Sequence, residues 1–125
     1  MINISIENNE VPNLREAVGW DRRDQDYPKL FERCNFWAGI RDNNGILIAF
    51  GYIVGMGLQH GYMEDIIVHP DFQQEGIGKQ LVKKLLEEAA DRGLEIVTLT
   101  FELKNLEFYQ KCGFSSCPGG IWRKT

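Results

Sequence analysis

The sequence predicts a mixed α/β fold in which antiparallel strands come first and a long helix then leads to a strand parallel to the last of them. Three observations carry that reading. Two β-rich runs, "FWAGIRD" and "ILIAFGYIV", flank the turn "NNG", and a third, "HGYMEDIIVHP", follows "GMGLQ". After "EGIG", apolar residues recur at Ile77, Leu81, Val82, Leu85, Leu86, Ala89 and Ala90, which is the spacing of one helix face. A further β-rich run, "LEIVTLTF", comes after that helix, so it pairs parallel to the preceding strand through a right-handed crossover.

Each element has its own local reason. "INISIE" alternates Ile2, Ile4 and Ile6 with polar residues and reads as a first, half-buried strand. "PNLREAVGW" and "YPKLFERC" read as two short helices joined by "DRRDQD", with Asp24 or Asp26 placed to cap the second. Asn44 and Gly45 suit the positive φ angles of a hairpin turn. The run "ILIAFGYIV" is apolar on both faces, as expected of a central strand covered from both sides. Pro70 ends the third strand because it has no N–H for a ladder, and Gly93 is placed to end the long helix. "NLEFYQKCGF" reads as a short helix closed by Gly113, and "FSSC" with "GIWRK" as a final hairpin about Pro118, Gly119 and Gly120.

Composition narrows the function. A length of 125 residues suits one domain, residues 1–125, since domains usually need about 100 to 150. With 43% hydrophobic and 26% charged residues the chain has enough apolar material for a core, which argues against extended disorder. A formal charge of −4 with mixed signs leaves no basic stripe to neutralise phosphates, so nucleic acid is excluded as a partner. No apolar run approaches the roughly 18 residues of a membrane span, and the start carries no signal pattern. A cytoplasmic protein without a membrane partner is expected. Cys34, Cys112 and Cys117 form no C-x-x-C or Cys/His cluster, so reduced thiols and no metal are expected.

The glycines of "EGIG" pose the functional question. A strand that feeds a glycine loop and then a helix N-terminus makes an anion site, because the first-turn amides are unpaired and the helix dipole is positive there. Gly76 and Gly78 would let a phosphate reach the backbone; the spacing alone is equally compatible with a plain tight turn. It lacks the G-x-x-x-x-G-K-[ST] pattern of triphosphate loops, and it comes too late in a series of antiparallel strands for the first turn of a dinucleotide fold.

The residues around the loop resemble the GNAT superfamily of acyl-CoA-dependent N-acetyltransferases. The signature Q/R-x-x-G-x-G/A reads "QQEGIG" from Gln73 to Gly78, and "FYQKCGF" from Phe108 to Phe114 matches a second landmark after the next strand. The resemblance covers about Phe36 to the C-terminus. It implies the GNAT fold, with the parallel strand pair splayed at an acetyl-CoA site. It also implies transfer of an acetyl group from acetyl-CoA to a primary amine of a small molecule, by direct attack in a ternary complex. A non-catalytic acyl-CoA-binding module and a lysine or N-terminal acetyltransferase acting on proteins or peptides are the alternatives. A homodimer is also implied.

Site residues follow from the same resemblance. Backbone amides from Gln74, Glu75, Gly76, Ile77, Gly78 and Lys79 would hold the pyrophosphate, with the Gln73 and Lys79 side chains at the rim. Ile66, Ile67 and Val68 would pair with the pantetheine arm like an added strand, and the amides near Val68 would stabilise an oxyanion. Tyr109 would protonate the departing thiolate. An alkyl amine, with a pKa of about 10.4, is almost wholly protonated at neutral pH, so a base or a water chain to one is needed. In "YMEDIIV", Glu64 and Asp65 fall on opposite faces of a regular strand; by resemblance Glu64 is the base, and a solvated pair at a strand end is the plain alternative. His60 and His69 lie beside turns and read as structural. Glu102 stands where many relatives have an asparagine, which puts that pantetheine contact in doubt. Cys112 next to the motif lysine reads as a buried thiol in preference to an acyl carrier. Trp20, Tyr27, Phe36 and Trp37 serve equally as core or as walls of an acceptor pocket.

Overall fold

The computed structural model describes residues 1–125. Four strands, β1 (Phe36–Arg41), β2 (Leu47–Val54), β3 (His60–Val68) and β4 (Ile96–Thr98), form one sheet in the order β1-β2-β3-β4. The first three are antiparallel and β3 pairs parallel with β4, the topology that the strand and helix order predicts. Helices α1 (Glu10–Ala17) and α2 (Tyr27–Arg33) cover one face, here the front, and α3 (Ile77–Asp91) covers the back. The short α4 (Leu106–Lys111) follows β4.

β2 explains why a strand with no polar face is needed. Its Ala49 and Ile53 join the back cluster with Leu81, Val82 and Leu85 of α3, while Leu47 and Phe50 join the front cluster with Val11, Leu14 and Tyr27. Neither side of β2 meets water over most of its length, so alternation would bury polar groups. α3 ends as its sequence dictates: Gly93 adopts φ 91, open to glycine at low cost, and its N–H meets Ala90 O at 3.0 Å.

Several expectations are corrected. "INISIE" is no strand: only Ile2 bridges to Ala38, because Asn3 turns to φ 53 and ties its side chain and amide to the Trp37 backbone. Ile4 and Ile6 still pack on the front cluster, so the alternation marked burial without a ladder. The C-terminal hairpin is absent, and Ile121 and Trp122 are exposed. Its Pro-Gly-Gly centre lacks one donor and carries high backbone entropy, a poor nucleus without an opposing apolar surface. At the β1–β2 turn Gly45 alone takes positive φ, whereas Asp42 Oδ1 accepts from the amides of Asn44 and Ile46. Asp26 sits at the N-cap of α2, but its side chain makes no cap bond and pairs instead with Arg23.

Parallel pairing between β3 and β4 covers only His60–Tyr62 against Ile96–Thr98. Beyond it the strands part. The Tyr62 hydroxyl spans the start of the gap, 2.6 Å from Thr100 Oγ1 and accepting from Thr100 N at 3.2 Å.

Candidate acyl-donor site

The gap between β3 and β4 opens into a cavity of about 770 Å³. Ile66, Ile67 and Val68 of β3, Gln73, Gln74, Gly76, Gly78 and Lys79 of the loop, and Tyr109 of α4 all line it. Residues as far apart in the chain as Ile66 and Tyr109, 43 positions, therefore face one space. Of the other loop positions, Glu75 is exposed and Ile77 packs toward the back cluster, so neither side chain reaches the cavity.

The two glycines of "EGIG" do different work. Gly76 is the N-cap of α3 at φ 80 with open space where a Cβ would stand, so its role is conformational. A Cβ on Gly78 would meet the Phe108 ring at 3.3 Å and Val68 at 3.4 Å, so its role is close approach. Gln74 also takes positive φ, at 67. The helical ladder begins with Gln80 N donating to Gly76 O at 3.0 Å. The amides of Ile77, Gly78 and Lys79 thus stand before the first helical bond, at the positive end of the dipole of a 15-residue helix. Gln73 folds back and donates its amide to Val68 O at 3.1 Å, joining loop to strand.

Tyr109 is only 7% exposed and is enclosed by the rings of Phe101, Phe108 and Phe114. Burial, with a lesser contribution from the neighbouring Cys112, pushes its phenol up to about 12. It therefore keeps its proton throughout the physiological range. Burial also raises the Cys112 thiol, with Lys79 opposing in part, so little thiolate forms there.

The acidic pair on β3 departs from the alternation expected of a regular strand. Phe50 pairs with Ile67 but Tyr52 pairs with Glu64, so Asp65 and Ile66 together oppose Gly51. This is a β-bulge, and Asp65 lies in the left-handed region at φ 53. Opposite it, the absent Cβ of Gly51 leaves room for the tip of the Ile66 side chain. The consequence is that Glu64 and Asp65 both face the front. Glu64 Oε2 accepts from the Tyr52 hydroxyl at 3.0 Å, and Asp65 accepts from Arg15 Nη1 at 3.0 Å and from the Tyr27 hydroxyl at 2.6 Å. Both oxygens of Asp65 are thereby engaged, and its side chain is 13% exposed. Glu64 is exposed and outside the cavity wall. Burial, then the charges of Asp65 and Glu64, raise the Tyr52 phenol above its ordinary range, so it stays a donor.

The remaining candidates sort cleanly. Trp20 lines the cavity, whereas Tyr27 and Phe36 are buried core and Trp37 packs on Phe31 with its indole N–H on Ile4 O. His60 lies 2.7 Å from Thr98 Oγ1, and His69 Nδ1 accepts from Asp71 N, so both serve the backbone fold. Glu102 reaches the cavity and pairs with Lys104 at 3.6 Å. Sequence reading missed Val18, Lys104, Asn105 and Phe108 in the wall. Asn105 lies four residues before Tyr109, so helical spacing was a usable signal for it.

Comparisons with known proteins agree with this geometry. The acetyltransferase (GNAT) family pattern matches residues 5–114. An uncharacterized N-acetyltransferase, ycf52, of Pyropia yezoensis is 27% identical over 116 residues, covering 90% of this chain and 67% of its own. GCN5-related N-acetyltransferase 1, chloroplastic, of Arabidopsis thaliana is 35% identical over 74 residues, 59% of this chain and 38% of that one. A GNAT-family acetyltransferase structure from Streptococcus pneumoniae superposes with a TM-score of 0.82 at 27% identity, over 99% of this chain and 96% of that one. The pattern runs through the bulged strand, the glycine loop and the tyrosine helix that share the cavity, and the chain belongs to the GNAT family of acetyltransferases.

Proposed function

We propose that the protein is an N-acetyltransferase that moves the acetyl group of acetyl-CoA to the primary amine of a small molecule, by direct attack in a ternary complex. One observation carries this reading: a single cavity joins the unpaired edge of β3, the amide-rich start of α3 and the protonated Tyr109. The residues fit an acyl-CoA. Amides of Ile77, Gly78 and Lys79, with the loop backbone before them, would hold the pyrophosphate, and Gly78 admits close approach. Ile66, Ile67 and Val68 would pair with the pantetheine arm along an edge that β4 leaves free. When bound, acyl-CoA supplies an acyl group activated as a thioester.

The chain supplies binding, orientation and proton movement. Backbone N–H groups near Val68 would stabilise negative charge on the acyl oxygen. Tyr109 would give its proton to the departing sulfur; a phenol held at about 12 is fully protonated at neutral pH. Glu64 would take the amine proton, directly or through ordered water. The Glu64 side chain lies on the front, bonded to Tyr52, so the amine would approach from the side of the sheet away from α3 and Tyr109. The raised Cys112 thiol favours direct transfer over a covalent acyl-enzyme. A small acceptor is favoured because α1 and α2 lie over β2 and reach the bulge through Arg15 and Tyr27, narrowing the front.

The test follows thiol release from acetyl-CoA with a panel of small amines and lysine peptides. Amine-dependent release with intersecting initial-rate lines is expected. Tight acetyl-CoA binding without amine-dependent release would point to a binding module, and faster release with peptides to a protein-directed enzyme.

A further inference from the structure

We propose that Arg15 is a positioning residue for the acyl donor: it holds Asp65 in the β3 bulge and Trp20 in the cavity wall, and so shapes the end of the cavity nearest the bulge. This rests on the acyl-CoA reading of the cavity.

The guanidinium has four partners, one of them the Tyr27 hydroxyl, to which Nη1 donates at 3.4 Å. Nη1 donates to Asp65 Oδ1 at 3.0 Å, and Nε donates to the Asp21 carbonyl at 2.6 Å. The guanidinium carbon also lies 5.3 Å from the centre of the Trp20 ring, within cation–π range. Trp20 is 42% exposed and has no place in the core, yet it lines the cavity together with Val18, Ile66 and Ile67. A surface tryptophan keeps one orientation only if something outside the core holds it. Arg15 does so from two sides, through the ring face and through the carbonyl of the next residue.

On the strand side the same guanidinium meets Asp65, whose φ of 53 a non-glycine residue adopts only when its surroundings impose it. Asp65 immediately precedes Ile66, the first of the three β3 residues in the cavity wall. With side chains 12% and 13% exposed, the Arg15–Asp65 pair is little screened, and either partner alone would leave a charge poorly solvated. Tyr27 completes the set by donating to Asp65 Oδ2. One planar cation thus couples the residue before Ile66 to Trp20 and the carbonyl that follows it, through a fork that a lysine ammonium cannot reproduce.

Titration calorimetry of the full chain with CoA and, separately, acetyl-CoA tests this. Both ligands would use the loop amides, and only acetyl-CoA places an acyl group at the far end. Arg15→Lys and Trp20→Ala are each expected to leave CoA affinity within about twofold while weakening acetyl-CoA about fivefold or more. The double variant should lose no more than the larger single loss, because Arg15→Lys already releases Trp20. Equal weakening of both ligands, no change in either, or additive losses would overturn the positioning role. Should Arg15→Lys not fold, Asp65→Asn, which removes the charge that Arg15 pairs with, decides by the same ligand comparison. If the unaltered chain binds neither ligand, the acyl-CoA reading fails and this inference with it; if it binds both and the variants behave otherwise than stated, the inference alone fails.

Discussion

The donor side and the front of the sheet are built in different ways. The donor side uses backbone: unpaired amides at the start of α3, a positive φ at Gly76, the absent Cβ of Gly78 and the free edge of β3. The front uses side chains brought from afar, with Arg15 and Asp65 separated by 50 positions and Tyr27 and Asp65 by 38. Backbone groups are the same in every sequence, so a backbone site needs only a few residues of special conformation in one stretch. A side-chain network depends on several separate segments meeting, and each member can change with its partner. The difference indicates why a short motif is enough to mark the loop, whereas no short motif marks the front network.

The comparison yields graded tests. Tyr109→Phe should have the largest effect, lowering kcat about 100-fold, as loss of a general acid does, with little change in KM for acetyl-CoA. Steady-state kinetics with the best amine would show it, and an unchanged kcat would remove Tyr109 as the acid. Gly78→Leu comes next. Its side chain would press on Phe108 and Val68 and cover the loop backbone, so CoA affinity should fall about 30-fold while the fold persists. Retained affinity by calorimetry would break the claim that the donor side is a backbone site.

A third test uses pH. Tyr109 has an ordinary value of 10.0 and a folded value of about 12. Below pH 10 both folded and unfolded chains hold the proton, so stability is unaffected by it. Between pH 10 and 12 the unfolded chain loses the proton first, and stability falls by about 2 kcal/mol from this group. Tyr27 and Tyr52 are raised too and add to the same alkaline fall. Urea midpoints from pH 9 to 12 should decline, and less steeply in Tyr109→Phe. The smallest effect is expected on the front. Glu64→Gln should cost about tenfold in rate at neutral pH, with the loss shrinking as the amine deprotonates at higher pH. A pH-independent loss would make Glu64 a binding group instead of a base.

Much of the fold could be read from local pattern. The 3.6-residue period of Ile77–Ala90 and the order of β-rich runs gave α3 and the mixed sheet, because burial on one face imposes those periods wherever the segment lies. The same logic misled at "INISIE", where alternate isoleucines are buried without a ladder, and at the tail, where strand-like residues find no partner. A strand needs a neighbour, and a neighbour is a tertiary fact.

The pair Glu64–Asp65 marks the boundary most clearly. Residue types around "QQEGIG" and "FYQKCGF" were enough to place the glycine loop and the helix of Tyr109, since both have conformations that a few adjacent residues dictate. Which way the two carboxylates point was decided by the bulge opposite Gly51, and the bulge by Arg15 and Tyr27 arriving from α1 and α2. The sequence by itself determined the helix start, the glycine loop and the short helix that carries Tyr109. Tertiary structure alone decided that both carboxylates share the front, that Asp65 is fully engaged, and that Trp20 stands in the wall while Tyr27 and Phe36 lie in the core. The reason is range: turns and helix termini are settled within a few residues, whereas a bulge and an ion pair need contacts that only the packed sheet and its covering helices bring together.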